Sequence, residues 1–202
     1  MLTQVKYTDI REFMKPGDVI AFGGPGFASD IIKFKTRSPV SHVGIVMRQE
    51  REGEEVRNLL IESTSLNGAG GVSTSFLGDV INEYDGQVWW LPLANAMTYE
   101  QYRLFFNWLL DKVGREYDVK QAILSAIDKL EWIGLGNNEE NFDKIFCSEL
   151  CAGSLEAAGV IPAMNSSEVT PADLVSWNIY SPTCFQIKGE VEEINGYNSV
   201  QL

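Results

Sequence analysis

An alternating apolar segment and a second apolar segment, with an unbroken polar stretch between them, constrain this chain more than any other feature. Ser41 to Met47 alternates with period two. Val43, Ile45 and Met47 fall on one face, and His42, Gly44 and Val46 on the other. Gln49 to Glu55 carries no apolar side chain and reads as a hairpin loop. Val56 to Thr64 returns as a second strand that closes in Ile61-Glu62-Ser63-Thr64. Such a hairpin must bury at least one face, and the flanking segments supply the partners. Pro16-Gly17 marks a turn before a strand at Val19–Phe22, and Val88–Leu93 is a further strand bearing Trp89-Trp90.

Helical periodicity is clearest from Thr98 to Val113, with apolar residues at 102, 105, 106, 109, 110 and 113. Thr98 and Gln101 form a capping box, and Gly114 ends the helix. Shorter helices are expected at Phe27–Lys35, Val119–Trp132 and Cys147–Ala158, with another opening at Thr170-Pro171. Gly134–Asn141 reads as a polar loop and Thr183–Lys188 as a last strand. No repeat or linker interrupts the pattern. The expectation is one α+β domain over residues 1–202, its acidic tail from about residue 190 loosely packed.

Composition excludes several function classes. The chain has 202 residues, with 28 Asp and Glu against 16 Lys and Arg, a net charge of −12. That balance opposes nucleic-acid binding, which needs a cationic face. No apolar run reaches the ~18 residues that span a bilayer. The N-terminus lacks the basic and apolar regions of a secretory signal. Three cysteines are too few, and odd in number, for a disulfide framework, which suggests a reducing, cytoplasmic setting. A single histidine excludes multi-histidine metal sites and two-histidine proton relays.

The residues that carry chemistry are then few. A thiol is nucleophilic as thiolate, a form favoured at a helix N-terminus and beside a histidine. Cys147 is expected to open a helix. Cys151 lies one turn on, among core residues, and Cys184 lies in a strand. His42 is the sole imidazole, and the hairpin brings it a carboxylate. With His42 opposite Glu62, the hairpin centres on residue 52, inside the polar stretch, and opposed side chains share a face. Cys147, His42 and Glu62 thus form a candidate nucleophile, general base and orienting acid. The expected helix start would add backbone N–H donors for an oxyanion. A zinc site of Cys147, Cys151, Cys184 and His42 has suitable ligand types, but not the usual spacing. Gly23-Gly24-Pro25-Gly26 lacks the third glycine of a dinucleotide loop and the Lys-Ser/Thr of a P-loop.

At these residues the chain resembles a known family. Pro16-Gly17-Asp18-Val19-Ile20-Ala21-Phe22, Ser38-Pro39-Val40-Ser41-His42-Val43-Gly44-Ile45-Val46, Ile61-Glu62-Ser63-Thr64 and Phe146-Cys147-Ser148-Glu149-Leu150 occur in that order. They resemble the circularly permuted papain-like hydrolases, the branch of the NlpC-type superfamily that includes YiiX-like proteins and is related to lecithin retinol acyltransferase. Gly114-Arg115-Glu116-Tyr117-Asp118 and Thr170-Pro171-Ala172-Asp173-Leu174 are also similar to family segments. The resemblance implies a permuted papain-like α+β fold, with a central antiparallel sheet packed against the helix of the nucleophilic cysteine. It implies that Cys147, His42 and Glu62 are catalytic. Gly24 and Ser41 would line the substrate cleft, and Tyr117 would assist the oxyanion hole. The implied activity is a cofactor-free cysteine hydrolase or acyltransferase, cleaving an amide or ester of a small-molecule, peptide or lipid-like acyl substrate. The alternative is a binding or structural module that keeps the fold without the activity.

Overall fold

The computed structural model describes residues 1–24, 36–64, 71–114 and 139–202. Its centre is a seven-stranded sheet: β1 (Leu2–Gln4), β2 (Val19–Gly23), β3 (His42–Glu52), β4 (Glu55–Thr64), β5 (Gly71–Phe76), β6 (Gln87–Leu91) and β7 (Cys184–Lys188). The spatial order is β1-β7-β6-β2-β3-β4-β5. All neighbours are antiparallel except β1 and β7, so the sheet is antiparallel at its centre and mixed as a whole. A three-residue strand at the N-terminus, too short to read from sequence, makes the difference.

Alternation along the central strands divides the core between the two faces of the sheet. Val19, Ala21, Val43, Ile45, Ile61, Trp89 and Leu91 face one side. There they meet Phe105 and Leu109 of one helix and Leu150, Cys151 and Leu155 of another. The helices of this face are α3 (Tyr99–Lys112), α4 (Glu139–Ala157) and α5 (Pro171–Ser176). On the other side Ile20, Phe22, Val46, Leu60, Val88 and Trp90 pack with Ile10 of α1 (Tyr7–Ile10), Met14, and Leu77 and Ile81 of α2 (Leu77–Glu83). The capping box at Thr98 is present, and Thr170 with Asp173 makes another at α5. The helices expected at Phe27–Lys35 and Val119–Trp132 lie outside the described residues.

Two departures matter for the site. First, the polar stretch is strand, not loop. β3 and β4 run on through it and turn over Gly53-Glu54 alone, with Gly53 at φ +64°. Its charged residues are mostly exposed, and Glu50 faces Arg57 across the ladder. Second, β3 carries a bulge. Ile45 faces Ile61 and Val46 faces Leu60, but beyond Met47 the register steps on, with Arg48 facing Leu59. The turn before β2 is fastened at this point, since Gly17 N–H donates to Val46 O and Val46 N–H donates to Asp18 O, both at 2.9 Å.

The tail is held, contrary to expectation. The buried Gln186 amide accepts from Glu192 N–H at 3.0 Å, and Trp89 Nε1 donates to Glu192 O at 3.0 Å. Ile194 is buried, and the Tyr197 ring stacks on Tyr180.

Candidate functional site

His42 is the first residue of β3 and meets Glu62, near the end of β4, through a hydrogen bond of 2.8 Å from Nε2 to Oε2. The pair is not directly opposed as expected. Carried one residue past the pair of Ile45 with Ile61, the register puts Gly44 opposite Glu62, with His42 as its diagonal neighbour. Diagonal neighbours share a face and lie within reach of long side chains. The bulge creates this arrangement. The register leaving the turn, with Glu52 opposite Glu55, would put Glu62 opposite Ile45 if it ran on unbroken. His42 and Glu62 would then lie on opposite faces. One extra residue at Met47 restores the shared face. Gly44 permits the close approach, because a Cβ there would stand 2.9 Å from Leu60 Cδ1.

Cys147 reaches His42 from α4. Nε2 is engaged by Glu62, and Cys147 is a further hydrogen-bond partner of the ring. Burial disfavours the imidazolium, the side chain being 16% exposed. The electrostatic interaction and hydrogen bond with Cys147, followed by the hydrogen bond and charge of Glu62, outweigh it and push the His42 pKa up to about 10. The structure thus brings His42, Glu62 and Cys147 together. Burial pushes the other two thiols up, Cys151 well above the ordinary range.

The environment of Cys147 differs from expectation. α4 begins at Glu139, so Cys147 lies about two turns inside the helix rather than at its start. The segment Glu139–Phe146 holds no glycine or proline, and its acidic residues suit a helix N-terminus. Backbone N–H groups beyond the first turn are committed within the helix, so α4 does not supply Cys147 with the free donors of a helix end. Cys147 is also fully buried.

Among the other expected cleft residues, Ser41 is buried, and its N–H donates to Phe22 O at 2.9 Å. Gly24 N–H donates to the Tyr84 hydroxyl at 2.6 Å. Tyr117 lies outside the described residues. Tyr84 was not singled out by sequence. It follows α2 in a segment without motif or periodicity, and only the fold carries it to the end of β2. Among the described residues no group of three or more His, Cys, Asp or Glu could hold a metal ion. None of their helices is long and apolar enough to cross a membrane.

No family model matches the chain, and no curated protein matches it. Among solved structures it is similar to the crystal structure of the metalloprotein YiiX from Escherichia coli O157:H7, at 18% identity and a TM-score of 0.48. The likeness covers 72% of this chain and 66% of that one, just under two thirds of its length. What stands is an α+β fold built on a seven-stranded mixed sheet.

Proposed function

We propose that the protein is a cysteine-dependent hydrolase or acyltransferase that cleaves an amide or ester through an acyl-thioester at Cys147. The observation that carries this reading is the placement of the one imidazole between a carboxylate and a thiol. Glu62 accepts from Nε2 and so orients the ring to hold, as imidazolium, the proton that the Cys147 thiol gives up. The thiolate attacks the acyl carbon and a C–S bond forms. The bond to the leaving nitrogen or oxygen breaks, and His42 returns the proton to it. Water or a second acceptor then loses a proton to His42 and bonds the acyl carbon. The C–S bond breaks and the sulfur recovers the proton. The order of the family-like segments, with histidine and acid ahead of the cysteine, supports the same reading.

The burial of Cys147 favours a second reading, an inactive module in which the three residues are packing and hydrogen-bonding groups. One experiment separates the two. Iodoacetamide labelling is followed against pH in wild type and His42→Ala, with Cys151 and Cys184 as internal references. The hydrolase reading expects Cys147 to label fastest and to slow in His42→Ala. A Cys147 that labels no faster than Cys184, or ignores His42, leaves the inactive module. A screen with acyl esters, peptides and lipids, using Cys147→Ala as control, then identifies the bond.

A further inference from the structure

The His42–Glu62 pair lies at the end of the sheet, where β2 stops and the chain leaves the ladder. Something must keep that end in place, and the contacts identify it. Phe22 is paired with His42 in the β2–β3 register, and the two rings lie 5.5 Å apart between centroids. Tyr84 packs edge-on against the same Phe22 ring at 5.0 Å. Its hydroxyl oxygen accepts the Gly24 N–H two residues further along. Both glycines beside this contact are needed for it. A Cβ on Gly24 would stand 2.4 Å from the Tyr84 hydroxyl, and one on Gly86, at φ +142°, would stand 2.5 Å from Gly24 Cα. Tyr84 therefore touches β2 twice, once through the Phe22 ring and once through the Gly24 backbone.

We propose that Tyr84 is a positioning residue for His42. It pins the end of β2 through Gly24 and holds Phe22 against the imidazole, so that Nε2 stays on Glu62 and the ring stays hydrogen-bonded to Cys147. The catalytic meaning of this role rests on the hydrolase reading, but the role itself can be read without substrate. Burial, and the charges of Glu62 and Asp85 nearby, push the Tyr84 phenol up to about 12 despite the Gly24 N–H, so it remains a neutral hydroxyl near neutral pH.

A chain with one histidine makes the test direct. The downfield proton NMR resonance of the His42 ring N–H, assigned by its loss in Glu62→Gln, reports the pair. Tyr84→Phe keeps the ring on Phe22 and removes the acceptor for Gly24. Solvent exchange of the His42 ring proton should become about tenfold faster, the scale of one lost hydrogen bond. Tyr7→Phe is the control, because it removes the acceptor for Asn58 Nδ2 at 3.1 Å, on the α1 side of the hairpin. It should leave the His42 resonance unchanged. An unchanged exchange rate in Tyr84→Phe, or equal acceleration in both variants, overturns the proposal. Should Tyr84→Phe fail to fold, Gly24→Ala breaks the same contact and is read in the same way. Loss of the positioning effect leaves the hydrolase reading to the Cys147 labelling, and absence of hydrolysis leaves the positioning result intact.

Discussion

Asp18 offers a quantitative test of how the turn before β2 is built. Its carboxylate is buried and accepts three hydrogen bonds. Lys15 N–H and Trp90 Nε1 both donate to Oδ2 at 2.8 Å, and Leu93 N–H donates to Oδ1 at 2.9 Å. Burial outweighs these donors and pushes the pKa from 3.8 to about 6. A carboxyl raised on folding contributes most below its unfolded pKa and loses that contribution as pH rises through the folded one. At 1.36 kcal/mol per pH unit the displacement corresponds to about 3 kcal/mol, lost between pH 3.8 and about 6. Asp18→Asn removes the titration. In its better orientation the amide oxygen keeps Lys15 and Trp90, while its NH2 meets the Leu93 N–H. One buried donor left unsatisfied costs roughly 1–3 kcal/mol. The variant should therefore be less stable at acid pH, by that amount, and should recover up to about 3 kcal/mol relative to wild type by neutral pH. Urea unfolding of both proteins, followed by tryptophan fluorescence from pH 4 to 7.5, measures the difference directly. A gap that is constant across this range, or widens toward neutrality, refutes the reasoning.

Other expectations can be checked with the same protein. His42 should keep its proton through neutral pH and titrate near 10 by ring nitrogen NMR. Its contribution to stability is complete below the ordinary histidine value of 6.5 and is lost as pH rises toward 10, and Glu62→Gln should lower the midpoint. A midpoint near 6.5 in wild type would contradict the observed pairing. Gly23→Ala should destabilise more than Gly44→Ala in thermal unfolding, by about 2 kcal/mol against about 1. The added Cβ at Gly23 meets Pro39 backbone oxygen at 2.8 Å, whereas at Gly44 the nearest atom is the mobile end of Leu60 at 2.9 Å. Deleting Met47 should cost about 2–5 kcal/mol for its buried side chain yet leave the His42–Glu62 resonance in place. Val46 with Leu60 and Arg48 with Leu59 then become successive pairs of one regular ladder.

Much of the framework was legible because local physics decides it. The capping box at Thr98 satisfies free N–H groups with side chains one turn away, so sequence spacing suffices. Period-two alternation placed His42 away from Val43 and Ile45 correctly. The start of α4 differs from expectation because Asn141 and its polar neighbours look like a loop in isolation. A helix begins wherever its apolar stripe can dock, and the tertiary contact of α4 with β3 and β4 lies outside any local window. The tail failed for a similar reason. Its anchor is a buried glutamine, Gln186, whose role depends on the chain folding back over β7.

The His42–Glu62 pair shows how a site can be found from a register that is wrong in detail. The predicted pairing and the observed one differ by two residues, and a shift of two leaves every side chain on its own face. An odd shift would have separated the pair. The turn at Gly53-Glu54 alone implies that odd shift, and the bulge at Met47 corrects it. The bulge in turn is fastened by Gly17 and Asp18 to Val46, which gives the Pro16-Gly17-Asp18 segment a physical reason to accompany the histidine strand. A turn that binds β3 at the bulge fixes the parity of the hairpin beyond it. The face on which the imidazole finds its carboxylate is thus set more than twenty residues before the histidine, by hydrogen bonds that neither side chain makes.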